Sequence, residues 1–183
     1  GFSAGEADWI SLAIDNWIPY VAYQDRWNNY KATVMRFNSW KNIREAVGTP
    51  GFSAGEADWI SLAMDNWIPY VAYRDLWNNW KATVMRFNSW KSNSRESVGN
   101  PGFSASKANH ILLAIDNWIP YVAYRDQWNN YKATVMRFNS WKNIREAVGT
   151  PGFSAGEADY ISLAMDNWIP YVAYRDRWNN WKA

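Results

Sequence analysis

The sequence predicts an all-β fold, a β-propeller built from near-identical four-stranded blades, and three observations support this prediction. First, the segment that starts at Asp65 recurs with few changes at Asp15, Asp116 and Asp166, a period of about 50 residues that is typical of propeller and solenoid arrays. Second, each unit contains four short segments with the composition of strands. Third, these segments are separated by residues that favour turns, such as Asp-Asn and Thr-Pro-Gly.

The repeats divide residues 1–183, which we interpret as one repeat domain, into units 1–50, 51–101 and 102–151 and a partial unit 152–183. Small differences alternate from unit to unit, because Ile14, Met64, Ile115 and Met165 occupy the same position. This alternation indicates that a block of two units was duplicated, by recent amplification or by design. The third unit has diverged most.

Each segment of a unit has a pattern that favours a strand. Residues 9–14 alternate apolar with small side chains, as expected for the crowded inner strand of a blade. Residues 20–23 are aromatic and β-branched, and residues 31–37 again alternate. Residues 40–47 are the most polar and suit an outer edge strand, where charges block unwanted pairing. A helix over 41–47 is the alternative, although an isolated helix of this length is unstable.

Composition narrows the classes of function. The 19 basic and 17 acidic residues leave a net charge of +2, too small to attract a polyanion, so we expect no nucleic acid partner. No run of 18 apolar residues is present, and we therefore expect no membrane partner. With no cysteine and one histidine, we expect neither a metal site nor another cofactor. The 15 tryptophans are the unusual feature.

In a propeller, the loop before the first strand and the loop between the second and third strands share one face. A tryptophan plate beside carboxylate and amide groups can bind a sugar, and repetition around a ring would add avidity. The candidate ligand-binding residues are Asp25, Trp27, Asn28, Asp75, Trp77, Asn78, Asp126, Trp128, Asn129, Asp176, Trp178 and Asn179. Alternatively, the Asp and Asn residues only form turns and the tryptophans only pack between blades.

Other repeated residues are predicted to be structural. Tryptophans of the loop between the third and fourth strands are expected to pack between blades; they are Trp40, Trp90 and Trp141. Three arginines, each followed by an aspartate, are expected to form ion pairs rather than a carboxylate clamp; they are Arg74, Arg125 and Arg175. His110 replaces an aromatic residue of the other units and is expected to fill that position.

The segments FSAGEADWISLAID, PYVAYRD and NNYKATVMRF resemble the tandem β-propeller repeats of secreted bacterial proteins, whose functions are largely unassigned. This resemblance extends over all four units. It implies an extracellular location and a fold, but no activity. The sequence departs from the family where Gly-containing hairpin turns are common, since DNWIP and DRWNN carry tryptophan there.

We therefore predict a non-catalytic, lectin-like module that binds glycans multivalently and is not an enzyme. The alternative is a structural scaffold whose partner is itself, and a glycan-acting enzyme is a third class. Four units can form a ring in three ways: with a second copy, by closing alone, or within a longer array. We favour self-association or a longer array over closure of a single chain.

Overall fold

A computed structural model describes residues 1–88, 94–180 and 182–183. Each full unit forms an antiparallel sheet whose four strands are ordered as in the sequence. The first sheet contains β1 (Ala7–Asp15), β2 (Ile18–Asp25), β3 (Lys31–Asn38) and β4 (Ile43–Ala46). The second contains β5 (Ala57–Asp65), β6 (Ile68–Asp75), β7 (Lys81–Asn88) and β8 (Ser94–Ser97). The third contains β9 (Ala108–Asp116), β10 (Ile119–Asp126), β11 (Lys132–Asn139) and β12 (Ile144–Ala147), and the fourth pairs β13 (Ala158–Asp166) with β14 (Ile169–Asp176).

The predicted all-β class is confirmed. The fourth segment is a strand rather than a helix, because β4 pairs with β3 from Met35↔Ala46 to Asn38↔Ile43. It begins at Ile43 instead of residue 40. Among the described residues, no helix has the length and apolar character needed to cross a membrane.

Side chains alternate along each strand, so every sheet has two apolar faces that pack against different neighbours. We call the side with Ile60, Leu62, Val71 and Tyr73 face A, and the side with Tyr70, Ala72, Ala82 and Val84 face B. Face A of the second sheet packs on the face B residues of the first sheet, which are Tyr20, Ala22, Ala32 and Val34. The second and third sheets, and the third and fourth, repeat this contact. The core therefore consists of the layers between successive sheets.

The turns between the first and second strands form without glycine. Asn16 and Trp17 have φ values of 47° and 68°, both in the left-handed region that a type I′ hairpin turn requires. Trp67 is the equivalent turn residue of the next sheet, and its backbone N–H donates a hydrogen bond of 2.7 Å to the carboxylate of Asp15. This contact between neighbouring sheets stabilises a turn that would otherwise favour glycine.

Candidate functional site

Two sets of loops meet at one end of the sheets, and we call this end the loop face. It contains the loop before each first strand and the loop between each second and third strand. Their contact is fixed by backbone hydrogen bonds, from the N–H of Arg26 to the carbonyl of Glu6 at 3.3 Å and from the N–H of Leu76 to the carbonyl of Glu56 at 3.1 Å. The predicted ligand-binding residues, which lie in the loops between second and third strands, are therefore adjacent to the loops before the first strands, as expected for a propeller.

The repeated aspartates of this set hold the loop together. Asp75 is 1% exposed. Its carboxylate accepts hydrogen bonds from Thr83 Oγ1 at 3.0 Å, from the backbone N–H of Trp77 at 3.1 Å and from Asn78 Nδ2 at 2.8 Å. Asp25 and Asp126 accept the same three bonds in their own units. These carboxylates and the amide groups of the asparagines they bind are thus used within the loop.

The same network connects each sheet to the next unit. While Thr33 Oγ1 donates to Asp25, it also accepts a hydrogen bond from the backbone N–H of Gly51 at 2.8 Å. Gly51 has a φ of +66°, and a Cβ at this position would lie 2.8 Å from the Cβ of Asn28. The aspartate, threonine and glycine therefore act as one structural connection, which explains why they recur together.

The loop tryptophans are arranged differently, because they extend into solvent. Their exposed fractions lie between 73% and 79%; they are Trp27, Trp77, Trp128 and Trp178. The rings of the first two lie across a backbone glycine, so that a Cβ on Gly5 or Gly55 would overlap them. These rings are available to a ligand rather than packed between sheets.

The loop of the fourth unit forms an open cavity of about 520 Å³. It is lined by Gly156, Glu157, Arg177 and Trp178. Here a Cβ on the glycine would meet the backbone and Cβ of Trp178 rather than its ring. Arg177 Nη1 lies 2.9 Å from Glu157 Oε2, so an aromatic ring, a carboxylate and a guanidinium line one cavity. Of these side chains, only Trp178 was predicted from the sequence as a ligand-binding residue.

The tryptophans of the third-to-fourth-strand loops do not match our expectation. We predicted that they pack between sheets, but Trp40 and Trp141 are 98% and 97% exposed. They lie at the end opposite the loop face, where the chain turns before the short fourth strand and no neighbouring sheet covers them. Trp90, for which we made the same prediction, lies outside the described residues.

The repeated arginines form ion pairs, although their partners differ from the prediction. Arg74 Nε donates to Asp58 Oδ1 at 2.6 Å, and the guanidinium also contacts Asn109 of the next sheet. Asp75 cannot serve as the partner because adjacent residues of a strand point to opposite faces. Asp58 is instead paired with Arg74 across the β5–β6 ladder.

The single histidine fills an aromatic position, as predicted. Its ring stacks on Trp59 with centroids 4.2 Å apart and an interplanar angle of 24°. Nδ1 accepts a hydrogen bond from the backbone N–H of Tyr160 at 3.2 Å, and Nε2 lies 3.5 Å from Asp159 Oδ1. Burial lowers the pKa of His110 and outweighs the opposing effect of Asp159. The neutral ring is therefore the favoured form near pH 7.

Comparisons with known proteins identify solved structures that share the fold. No protein-family model matches the sequence, and a search of curated proteins also returned no match. Solved structures do match, among them YjhT, with 11% identity and a TM-score of 0.54 over 88% of this chain and 56% of the other. An engineered GH43 glycoside hydrolase with endo-xylanase and exo-arabinofuranosidase activity has 10% identity and a TM-score of 0.56, over 94% of this chain and 37% of its own.

A third similar structure is CoXyl43, a GH43 β-xylosidase/α-arabinofuranosidase from a compost microbial metagenome, in complex with xylotriose. It has 11% identity and a TM-score of 0.53, over 98% of this chain and 68% of its own. The chain thus spans 56% and 37% of the first two of these three structures. At such low identity the likeness shows the fold alone.

These comparisons contradict our prediction that the chain is not an enzyme, because the structures that share its fold include glycoside hydrolases. They support the propeller but do not single out the tandem-repeat proteins that the sequence resembles. The chain has an all-β fold of the β-propeller type, similar to that of carbohydrate-active propellers.

Proposed function

We propose that this protein binds carbohydrate on its loop face, through the exposed tryptophans of the loops between second and third strands. The observation that carries the proposal is their exposure: all four rings stand at least 73% exposed at equivalent positions on one face. The planar face of an indole packs against the C–H groups of a sugar, and nearby polar groups bind its hydroxyls. The carbohydrate-active proteins that share the fold agree with this class of ligand.

The polar partners that we propose differ from the residues predicted from the sequence. The repeated aspartates are buried in the loop network, so the outer charged residues are better placed. In the fourth unit these are Glu157 and Arg177 beside Trp178. In the first unit, Arg26 is bonded to Glu6 next to Trp27, and both charged side chains are accessible to solvent. A carboxylate and a guanidinium together can accept from and donate to sugar hydroxyl groups.

Repetition determines the mode of binding that we propose. Each tryptophan offers a small contact, which for a single sugar gives weak affinity. Several equivalent sites on one face can engage one branched or polymeric glycan, so that the later contacts form within one complex and increase the overall affinity. The expected ligand is therefore a polysaccharide or a dense glycan surface rather than a monosaccharide.

The test is a glycan-array and polysaccharide-binding assay with two matched variants. One variant combines Trp27→Ala, Trp77→Ala, Trp128→Ala and Trp178→Ala on the loop face. The control combines Trp40→Ala and Trp141→Ala, which remove even more exposed rings from the opposite end. We expect the first variant to lose binding at unchanged circular dichroism while the control retains it. Binding that survives in the first variant, or a folded wild type without any glycan ligand, would refute the proposal.

Glycoside hydrolysis is a second candidate, and one local feature favours it. Glycoside hydrolysis uses two groups with different roles, usually two carboxylic acids. The repeat loses its symmetry at His110, whose Nε2 lies 3.5 Å from Asp159 Oδ1, and this carboxylate also pairs with Arg125 and Arg175. Release of reducing sugar from xylo- and arabino-oligosaccharides would be compared in the wild type and in Asp159→Asn. Turnover that the variant abolishes would favour hydrolysis at this position, and no turnover by the wild type would exclude these substrates.

A further inference from the structure

The first and last sheets carry apolar faces that the structure leaves open, although the same faces are buried elsewhere in the chain. Leu12 on face A of the first sheet is 61% exposed, whereas its counterpart Leu62 in the second sheet is 6% exposed. Ile10 and Ile14 on the same strand are also exposed. Together with Phe2 and Tyr23, residues of this face line a cavity of about 440 Å³.

Face B of the fourth sheet is open in the same way. Tyr171 is 56% exposed there, while Tyr20, Tyr70 and Tyr121 at the equivalent position are buried between sheets. Ala173 is likewise exposed, whereas Ala72 at the equivalent position is fully buried. A contiguous apolar patch on a soluble protein marks a surface that another molecule covers.

The contacts inside the chain show which surface fits each open face. Face A of the second sheet packs on face B of the first, and two further pairs of sheets form the same contact. The open part of face A in the first sheet lies on β1, where Ile10 and Leu12 repeat Ile60 and Leu62. Val21 and Tyr23 on β2 repeat Val71 and Tyr73 but are already only 8% and 3% exposed. In the fourth sheet, which has two strands, face B consists of its β14 part, where Tyr171 and Ala173 repeat Tyr70 and Ala72.

We propose that face A of the first sheet binds face B of the fourth sheet in a second copy of this chain. The β14 part of the complementary surface is present on the molecule, and the three internal contacts show which faces meet. Two copies related by a two-fold axis would form this contact twice and bring together two sets of four sheets. A closed ring of about eight blades is within the range known for propellers. The contact is head-to-tail, and the two-fold axis closes it.

The test uses two variants that each block one of the two faces. Leu12→Asp places a charge on face A of the first sheet, and Tyr171→Asp places one on face B of the fourth. Both side chains are more than half exposed in the isolated chain, so each variant should fold. Ile43→Asp is the control, because Ile43 is also exposed but lies on β4, away from the open face of its sheet.

Mass would be measured by sedimentation velocity and light scattering over a concentration series. We expect the wild type and the control to reach twice the 21.3 kDa of one chain, and each blocked variant to remain at one chain mass. An equimolar mixture of the two blocked variants should recover a two-chain species, because one open face A and one open face B remain between them.

A wild type that stays at one chain mass at every concentration would overturn the proposal. It would also be overturned if Leu12→Asp associated as strongly as the wild type, or if the mixture, which keeps one of the two contacts, associated no more than either variant alone. The measurement is independent of any glycan, and its result therefore does not depend on the proposed carbohydrate binding.

Discussion

Replacing Asp75 by alanine separates a structural role of the repeated aspartates from a role in ligand binding. The carboxylate is buried and accepts three hydrogen bonds, from Thr83, Asn78 and the backbone of Trp77. The Asp75→Ala change removes all three and leaves their donors without this acceptor. If the aspartate only holds the loop, the free energy of unfolding must fall by a large amount.

The magnitude follows from the hydrogen bonds. A hydrogen bond to a charged group contributes about 1.5–3 kcal/mol, and an unsatisfied buried donor costs about 1–3 kcal/mol. The three contributions are not additive, since they share one acceptor. Loss of a buried polar network of this kind is expected to cost about 3–5 kcal/mol in total. The matched variant Trp77→Ala removes an exposed ring and is expected to change stability by no more than about 1 kcal/mol.

The assay is urea denaturation monitored by circular dichroism, combined with glycan binding. With a slope of about 2 kcal/mol per molar urea, Asp75→Ala should lower the denaturation midpoint by about 2 M. Trp77→Ala should leave the midpoint nearly unchanged and weaken binding. A variant Asp75→Ala that is as stable as the wild type but no longer binds a ligand would refute the argument, because the carboxylate would then be a ligand group.

Further predictions concern the sheet contacts and two buried groups. Leu62→Ala should lower the free energy of unfolding by about 2–5 kcal/mol, because it leaves a cavity between sheets. Leu12→Ala should change the free energy of unfolding by less than about 0.5 kcal/mol when it is measured at concentrations where the chain is a single copy. Equal losses of the two variants in urea denaturation would contradict the packing described above. Burial lowers the pKa of His110 below its usual 6.5, so the stability that its neutral form contributes is present above pH 6.5 and is lost as the pH falls through the lower folded value. The variant His110→Trp restores the residue of the first two units, and its thermal midpoint should fall less on acidification than that of the wild type. Parallel pH profiles of the two proteins would show that the histidine is not responsible. Burial, with a smaller effect of Asp25, raises the pKa of Tyr23 to about 12, so its contribution to stability persists below pH 10 and is lost as the pH rises through 12. Tyrosinate absorbance recorded together with circular dichroism should show this change. Ordinary titration of every tyrosine near pH 10 in the folded protein would contradict it.

Much of the fold can be predicted from the sequence because the repeat states each local pattern several times. The alternation along residues 9–14 and the polar fourth segment correctly predicted two strands, and these form the two edges of the sheet. The start of the fourth strand was misplaced, because polar residues such as Lys41 and Asn42 fit both a turn and an edge strand. The partner of Arg74 was also misassigned, since a neighbour in sequence points to the other face of a strand while Asp58 becomes adjacent only through strand pairing.

Repetition limited the prediction of the site. A residue that recurs in every unit is expected whether it packs, forms a turn or binds a ligand, so recurrence alone could not separate Asp75 from Trp77. The structure separates them by burial, with the carboxylate inside the loop and the ring outside it. Glycines 5 and 55, which lie beneath the rings, carried a usable signal: a residue without Cβ recurs where a large ring must cross the backbone.

The two proposals use different surfaces, and together they specify a geometry for binding. The proposed carbohydrate binding would use the loop face at one end of the strands, whereas the proposed association would use face A of the first sheet and face B of the fourth. A two-fold axis along the channel of the ring places the loop faces of both copies on the same side. Association would therefore bring two sets of four tryptophans onto one surface without covering them, and the affinity for a polymeric glycan should then rise with the fraction of paired chains. Leu12→Asp, which blocks pairing but leaves the loop face intact, should bind the same glycans more weakly than the wild type without losing its preference among them.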